Sequence, residues 1–317
     1  MNISAIIEQL ETLAPLSLQE SYDNSGLIVG DCNANINSAL LCLDSTEDVI
    51  DEAIERDCGL VIAHHPIVFS GIKSLTGKNY IERTIVKAIK NDIAIYAIHT
   101  NLDNVKAGVN KKMAERIGLK NLKILSPKEG KLKKLVFFCP IDSSEKVKSA
   151  LFDAGGGTIG EYDCCSFSLE GNGTFRPGEH TNPHVGKKEE LHSEKEHRIE
   201  LIFPDYLKSN LIHALKSNHP YEEVAFDLYN LENKWSEVGS GMIGELPQPL
   251  EILDFLDRVK LNLGTECIRY TKVLRHKVKR VAICGGSGSF LLNSAIAKGA
   301  EVFITGDYKY HQFFDAD

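Results

Sequence analysis

The amino-acid sequence predicts an α/β protein whose duplicated βαβ core is interrupted by an inserted ferredoxin-like (βαββαβ) domain. Three observations support this prediction. Apolar strand-like runs alternate with helical patterns from Ala39 onward, the same alternation returns after position 280, and a segment of different rhythm lies between the two. Alternating strands and helices are typical of a parallel sheet with crossover helices.

The composition is that of an ordinary globular protein, since 43% of the 317 residues are hydrophobic and 25% are charged. This length favours two domains over one. No apolar run approaches the roughly 20 residues needed to cross a bilayer. The first predicted helix, 3–13, carries Glu8 and Glu11 instead of the basic start of a signal peptide. We therefore expect a cytoplasmic protein without a membrane partner.

Cysteine usage and net charge argue against two further classes of protein. The eight cysteines show no C-x-x-C spacing, so neither a disulfide framework nor a zinc knuckle is indicated. The formal net charge of −8 disfavours attraction to a phosphate backbone, and we do not expect nucleic acid as a partner.

The first core segment is predicted from alternating apolar periodicity. After helix 3–13 it contains strand 39–43, helix 46–57, strand 60–63, helix 80–91, strand 93–98 and helix 105–117. The second core segment contains strand 281–284, a Gly/Ser turn at 285–289, helix 290–298 and strand 302–305. The turn could receive an anion on its backbone amides, but it lacks the spacing of a dinucleotide-binding loop.

The two core segments align without a gap at a constant offset of 242 positions, which places Cys42 on Cys284 and Ile62 on Ile304. Duplication is the interpretation we adopt, although two βαβ units built from the same apolar residues can also match by chance. Under duplication, His64 and His65 correspond to Gly306 and Asp307. Polar residues of both halves would then face one crevice, where open α/β sheets bind their ligands.

The middle segment has a different order of elements. We predict strand 132–139, helix 144–154, strands 162–170 and 197–203, helix 206–218 and strand 224–231, with a polar hairpin tip at 178–196. This βαββαβ order is the ferredoxin-like pattern. The predicted domains are therefore a discontinuous core, 1–125 and 235–317, and an insert, 130–232.

The strongest local signal for chemistry is His64-His65-Pro66, directly after an apolar strand. Adjacent residues of an extended strand point to opposite sides, so we expect the two imidazoles to serve two ions rather than one. Pro66 ends the strand and fixes the direction in which the chain leaves it. Two strand-end histidines without any ligand are the alternative.

The second signal is His99-Thr100-Asn101-Leu102-Asp103, which follows the next predicted strand. Imidazole and carboxylate ligands suit Zn, Mn, Fe or Co. Asp103 could instead cap the helix that follows. For His99 we expect a supporting role behind the ligands rather than direct binding.

Three further residues are candidates for such a supporting role. Asn24 lies in the turn-like run Asp23-Asn24-Ser25-Gly26, for which a plain turn is the alternative. Asp307 and His311 are four residues apart and would face one way if a helix begins there. A capping aspartate and a packed histidine explain this pair equally well.

Taken together, these motifs resemble those of the NIF3-like family of GTP cyclohydrolase 1 type 2 homologues. The resemblance is carried by Tyr22-Asp23-Asn24-x-Gly26-Leu27, Ala63-His64-His65-Pro66, His99-Thr100-Asn101-Leu102-Asp103, Gly285-Gly286-x-Gly288 and Thr305-Gly306-Asp307. In the middle segment, Gly171-Asn172-Gly173-Thr174-Phe175-Arg176-Pro177 and His219-Pro220-Tyr221-Glu222-Glu223-Val224 are similar to the long form of the family.

The resemblance implies a homohexamer with dinuclear metal centres, His64, His65 and Asp103 as metal ligands, and a PII/CutA-like insert acting as a lid. It also implies a further His and Glu from a Gly-His-x-x-x-Glu segment, which the sequence up to Asp317 does not contain. Either the chain is truncated or the sequence covers only part of it, and we expect weakened or incomplete metal occupancy if the chain ends at Asp317.

Two functional hypotheses follow, with catalytic residues and substrate unknown. The first is a hydrolase that uses two divalent metal ions to activate water against a small-molecule or nucleotide-like substrate. The second is a non-catalytic metal-binding regulatory or scaffold protein.

Overall fold

The computed structural model describes residues 1–316, which divide into two compact units. The first unit comprises Met1–Pro127 together with the chain from Glu237 onward, and the second comprises Lys128–Ser236. No helix among residues 1–316 combines the length and the apolar character needed to cross a bilayer.

The elements are numbered in chain order. The helices are α1 (Ile3–Leu13), α2 (Glu47–Glu55), α3 (Tyr80–Lys90), α4 (Thr100–Asn104), α5 (Val109–Ile117), α6 (Ser144–Asp153), α7 (Lys208–Asn218), α8 (Ile252–Leu263) and α9 (Leu292–Ala297). The strands are β1 (Gly26–Val29), β2 (Ala39–Cys42), β3 (Leu60–Ala63), β4 (Ala94–Ala97), β5 (Lys120–Lys128), β6 (Leu132–Pro140), β7 (Phe167–Phe175), β8 (His192–Pro204), β9 (Phe226–Leu231), β10 (Trp235–Glu251), β11 (Lys277–Ser287) and β12 (Val302–Gly306).

The first sheet has the order β1-β4-β3-β2, in which β2, β3 and β4 are parallel and β1 is antiparallel to β4. Helices α2 and α3 are the crossovers. They bury Ile50 and Ile85 against Val61 and Ile95 of the sheet. Both helices begin with a side-chain cap, from Thr46 in α2 and from Asn79 in α3. The predicted α/β class is confirmed.

The second sheet has the order β12-β11-β10-β5, with β11 and β12 parallel. In this parallel pair Val281 lies opposite Val302, and in the first sheet Ala39 lies opposite Leu60. Both pairs obey the same offset in sequence, so the two βαβ segments share one register, as a duplicated unit would. Their outer neighbours differ, because β3 next pairs with β4, whereas β11 next pairs with antiparallel β10.

The second unit contains one sheet of order β7-β8-β6-β9, in which every pairing is antiparallel. Its elements run β6-α6-β7-β8-α7-β9, the ferredoxin-like order. Helices α6 and α7 bury Val147, Leu151, Leu211 and Leu215 in a common core with the sheet.

Four elements of the first unit were not foreseen from the sequence. Strands β1 and β5 and the long strand β10 complete the two sheets, and helix α8 packs Phe255 and Val259 into the core of the second sheet. These strands are short, or carry Gly and Pro, so the periodicity that reveals an isolated strand is weak in them.

Two predicted boundaries in the second unit were wrong. The strand predicted at 162–170 is β7, which begins at Phe167 and continues to Phe175. Strand β8 begins at His192, so the connection between these strands is shorter than the hairpin tip predicted at 178–196. Strand β7 pairs with β8 along its whole length, from Phe167 opposite Glu200 to Phe175 opposite His192. This pairing holds residues 171–175 and 192–196 in strands, although their polar composition favours a loop.

The helix predicted at 105–117 is present as α5, but its predicted start was wrong. Helix α4 ends at Asn104, Val105 takes an extended conformation and bridges to Val238, and α5 starts after Gly108. This break sets Asp103 in the last turn of a short helix instead of at a helix start. The turn is tight, because a Cβ added to Gly108 would lie 1.8 Å from the carbonyl oxygen of Leu102.

Replacing Gly108 by alanine tests the importance of this break. We expect Gly108→Ala to lower the free energy of unfolding by about 1–3 kcal/mol, because the added methyl group overlaps rigid backbone atoms. The midpoint of urea unfolding measures the effect. Gly71→Ala is the matched control, since no atom lies within 4 Å of a Cβ built there. Equal midpoints for the two variants would contradict the tight turn.

Candidate metal centre

The candidate site lies at the carboxyl ends of two neighbouring parallel strands. Ala63, the last residue of β3, is paired with Ala97, the last residue of β4. His64 and His65 therefore leave the sheet beside His99, which follows β4 by two positions. Carboxyl ends of parallel strands are where open α/β sheets place their ligands.

The backbone at His64 and His65 is not extended. Both amides donate to the same side, from His64 to the carbonyl of Cys42 at 3.1 Å and from His65 to that of Leu43 at 2.9 Å. Successive amides of an extended strand point to opposite sides, so the chain bends here. The two rings consequently lie 5.0 Å apart, centre to centre. The expectation that they face opposite sides was wrong.

The ring of His99 completes a group of three imidazoles. Its centre lies 5.2 Å from that of His64 and 5.4 Å from that of His65. One ring nitrogen from each histidine lies within 4.8 Å of the other two, close enough for the three to hold a metal ion. The structure thus places His99 within the cluster itself, whereas the sequence suggested a position behind it.

Each ring is fixed by an acceptor at Nδ1. The carbonyl oxygen of Ile98 lies 2.9 Å from Nδ1 of His64, and Oδ1 of Asp44 lies 2.8 Å from Nδ1 of His65. A carbonyl oxygen can only accept, so Nδ1 of His64 carries the hydrogen and its Nε2 keeps a free lone pair. The contact with Asp44 orients the ring of His65 in the same way. Metal-binding histidines are oriented in this way in proteins.

Asp23 gives His99 the same orientation, with its Oδ1 2.8 Å from Nδ1 of the ring. The carboxylate is fully buried and accepts from the hydroxyl of Thr100. It also accepts from the amide of Thr100 at 3.0 Å, the amide of Asn24 at 2.7 Å and the hydroxyl of Ser25 at 3.1 Å. Burial alone would raise the pKa of Asp23, but these hydrogen bonds together hold it below its ordinary value. Asp23 is therefore an anion that both orients and polarises His99.

The pKa of His64 is lowered, chiefly by burial and further by the neighbouring rings of His99 and His65, although its bond to Ile98 opposes the shift. A lowered pKa keeps the ring neutral near pH 7. Its Nε2 is then available as a ligand.

Asp103 faces this cluster from α4. Its Oδ1 lies 3.9 Å from Nε2 of His64, and burial raises the pKa of the carboxyl group to about 6. The same oxygen is buried, and it has no hydrogen-bond partner among residues 1–316. Because Nε2 of a neutral His64 carries a lone pair, a cation between the two atoms would satisfy both. The residues present therefore fit a metal ion.

Asn110 connects the backbone of Asp103 to the second half of the core. Its amide group donates to the carbonyl oxygen of Asp103 at 2.9 Å and accepts from the amide of Gly285 at 2.8 Å. The amide of Gly288 donates to the hydroxyl of Thr305 at 2.8 Å. Two amides of the glycine turn are thus committed within the protein, which weakens the idea that the turn receives an anion.

The other predicted supporting residues lie in different surroundings. Asn24 donates from its side chain to the carbonyl oxygen of Val68 at 2.7 Å. The ring of His311 contacts Tyr310 and Phe314. Asp307 is exposed and has a left-handed backbone. The histidine group found among residues 1–316 includes none of the three predicted residues.

Sequence reasoning missed the roles of Asp23, Asp44 and Asn110. Asp44 could have been found, because it stands just beyond β2 as His64 stands just beyond β3, and β2 is the parallel neighbour of β3. Asp23 and Asn110 act through contacts with residues 76 and 175 positions away, for which local patterns carry no signal.

Comparison with known proteins gives matches over the whole chain. The family model Duf34/NIF3 (NGG1p interacting factor 3) matches residues 1–317. A GTP cyclohydrolase 1 type 2 homolog of Halalkalibacterium halodurans is 41% identical over 316 residues, which cover 99% of this chain and 85% of the relative. The Bacillus subtilis protein of the same name is 39% identical over 317 residues, covering 100% of this chain and 85% of the relative.

A solved structure shows the same fold. The crystal structure of a Bacillus cereus protein related to NIF3 matches with a TM-score of 0.88 and 42% identity, covering 100% of this chain and 85% of that one.

Removing the acceptor of His65 tests the geometry of the cluster. We expect Asp44→Ala to weaken Zn²⁺ binding roughly tenfold, because such outer partners contribute about 10–100-fold to metal affinity and Asp44 is solvent-exposed. Competition against a chromophoric chelator measures the dissociation constant. Asp257→Ala, which removes an exposed carboxylate from α8, is the control. Unchanged affinity in Asp44→Ala would show that this bond does not position His65.

Proposed function

We propose, from the premise that this chain belongs to the Duf34/NIF3 family, that it is a hydrolase dependent on divalent metal. His64, His65, His99 and Asp103 would hold the metal. The observation that carries this proposal is the convergence of three imidazoles near a buried Asp103 oxygen that has no partner. The family resemblance supports two ions, and the mixed donors favour Zn, Mn, Fe or Co.

The side chains of the site each have a definite task in this proposal. Ile98, Asp44 and Asp23 hold the three rings so that each presents a lone pair. Neutral imidazoles do not balance the positive charge of a metal ion. Asp103 supplies the negative charge that does. When bound, divalent metal lowers the pKa of water toward neutrality and polarises a carbonyl or phosphoryl oxygen.

The substrate we propose is a small molecule or a nucleotide-like compound. The relatives carry the name GTP cyclohydrolase 1 type 2 homolog. A cyclohydrolase opens a ring by hydrolysis, and metal-activated water can carry out such a reaction. The homohexamer implied by the resemblance remains part of the proposal, and the native mass in solution checks it.

The decisive experiment combines metal analysis with a turnover screen. The protein is loaded with Mn²⁺ or Zn²⁺ and assayed against GTP, phosphoesters and cyclic amides. We expect bound metal and hydrolysis in the wild type. His64→Ala/Asp103→Ala should lose metal and lower the rate by about a hundredfold or more, because metal ions contribute several kcal/mol to such reactions.

Two outcomes would contradict the hydrolase. Full activity in the double variant would show that the reaction takes place elsewhere. Stoichiometric metal with no turnover on any of these substrates would support the regulatory or scaffold protein instead. His213→Ala/Asp257→Ala removes the same residue types far from the site in sequence and should retain both metal and activity.

A further inference from the structure

An apolar groove lies in the first unit beside the histidine cluster. It has a cavity volume of about 520 Å³, which is within the range of small-molecule sites, roughly 300–1,000 Å³. Strand β1, the loop after Pro66 and helix α3 form its walls. The lining residues are Asn24, Leu27, Ile28, Val29, Gly30, Val68, Ile72, Ile85 and Ile89.

One end of the groove is tied to the cluster through direct neighbours in sequence. Asn24 follows Asp23, the carboxylate that orients His99, and Val68 precedes Phe69, whose ring lies 5.8 Å from the ring of His99. The bond from Asn24 to the carbonyl oxygen of Val68, 2.7 Å long, joins the two walls at this point. One end of the groove is therefore linked to the residues that surround His99.

From there the groove follows β1 away from the cluster. Gly26 lies opposite Ala97, the last residue of β4, and Val29 lies opposite Ile95. Because the pairing is antiparallel, each step along β1 leads back from the carboxyl edge of the sheet. The lining residues run from Asn24 to Gly30 along this edge strand, which is bulged between Leu27 and Val29, so the groove is elongated along the strand.

The lining has the chemistry of an aliphatic binding site. Among the described residues that form it, Asn24 is the one polar side chain and none is charged. Ile72 and Ile89 are 42% and 54% exposed, so apolar surface faces water along the groove. A phosphate chain would find no cation here, whereas a hydrocarbon chain would release water from both surfaces.

We infer that this groove binds an aliphatic substituent of the substrate and directs the hydrolysable group toward the histidine cluster. The substrate class is then an amide or ester with an extended apolar chain. This inference rests on the proposed function, because the bound molecule is a substrate only if the protein is a hydrolase. The capacity of the groove to bind an aliphatic chain is independent of metal.

Binding is tested first, on metal-free protein treated with EDTA. The fluorescent probe is N-phenyl-1-naphthylamine, displaced by butanamide, hexanamide and octanamide. We expect displacement to strengthen roughly fourfold per methylene group, the gain for one fully buried CH₂. Equal displacement by all three amides would overturn the inference.

Paired variants locate the binding. Ile72→Gln/Ile89→Gln should weaken octanamide binding about tenfold or more, because it places polar groups along the groove. Leu253→Gln/Leu261→Gln is the matched control, since these leucines of α8 are 60% and 82% exposed outside the groove. An equal effect of both pairs would show that octanamide binds to exposed apolar surface in general, and this would overturn the inference. Thermal unfolding of each variant confirms that it folds.

Turnover separates this inference from the proposed function. With Mn²⁺-loaded protein, the kcat/KM for acyl p-nitroanilides should rise with acyl length in the wild type and stay flat in Ile72→Gln/Ile89→Gln. Absence of all turnover with intact octanamide binding would contradict the hydrolase and keep the aliphatic site. Probe binding that disappears as the protein self-associates would show that a second copy covers the groove and would overturn the inference.

Discussion

The in-register parallel pairing of β3 and β4 is the constraint on which the site depends. It brings two segments about 35 positions apart, His64-His65 and His99, to one edge of the sheet. Neither strand contributes a ligand from its own length. The strands are buried and apolar, and the chemistry begins at the first residues beyond them, where the chain bends and backbone amides no longer alternate.

Beyond that edge, the site is organised by acceptors rather than by the imidazoles alone. A backbone carbonyl and two aspartates each hold one Nδ1, so the three rings cannot rotate without breaking a hydrogen bond. Two buried aspartates then have pKa values that are shifted in opposite directions, because their hydrogen-bond partners differ. Asp23 receives many donors and stays charged, whereas Asp103 has few, and its pKa rises to about 6. A positive charge beside Asp103 would offset the cost of burying its carboxylate.

Strand ends and element order could be predicted from the sequence because apolar periodicity and the order of strands and helices are local signals. That reasoning reached the α/β class and the two His-containing segments. It did not reach the bend at His64, which arises from two bonds to Cys42 and Leu43 on a neighbouring strand. It also missed helix α4 and began the next helix at Val105, a position that pairing with Val238 holds extended. It missed Asn110 because the contact with Gly285 joins positions 175 apart, for which a single sequence carries no local signal.

The bridge through Asn110 has a consequence for the order in which the site matures. Its two hydrogen bonds join the backbone of Asp103 to Gly285, a residue synthesised some 175 positions later. During translation the histidines emerge first, and the segment that carries Asp103 gains its full support only when the distant glycine turn has left the ribosome. The nascent polypeptide thus displays imidazoles before the carboxylate of Asp103 is fully supported, and completion of the site waits for synthesis of the second half of the core.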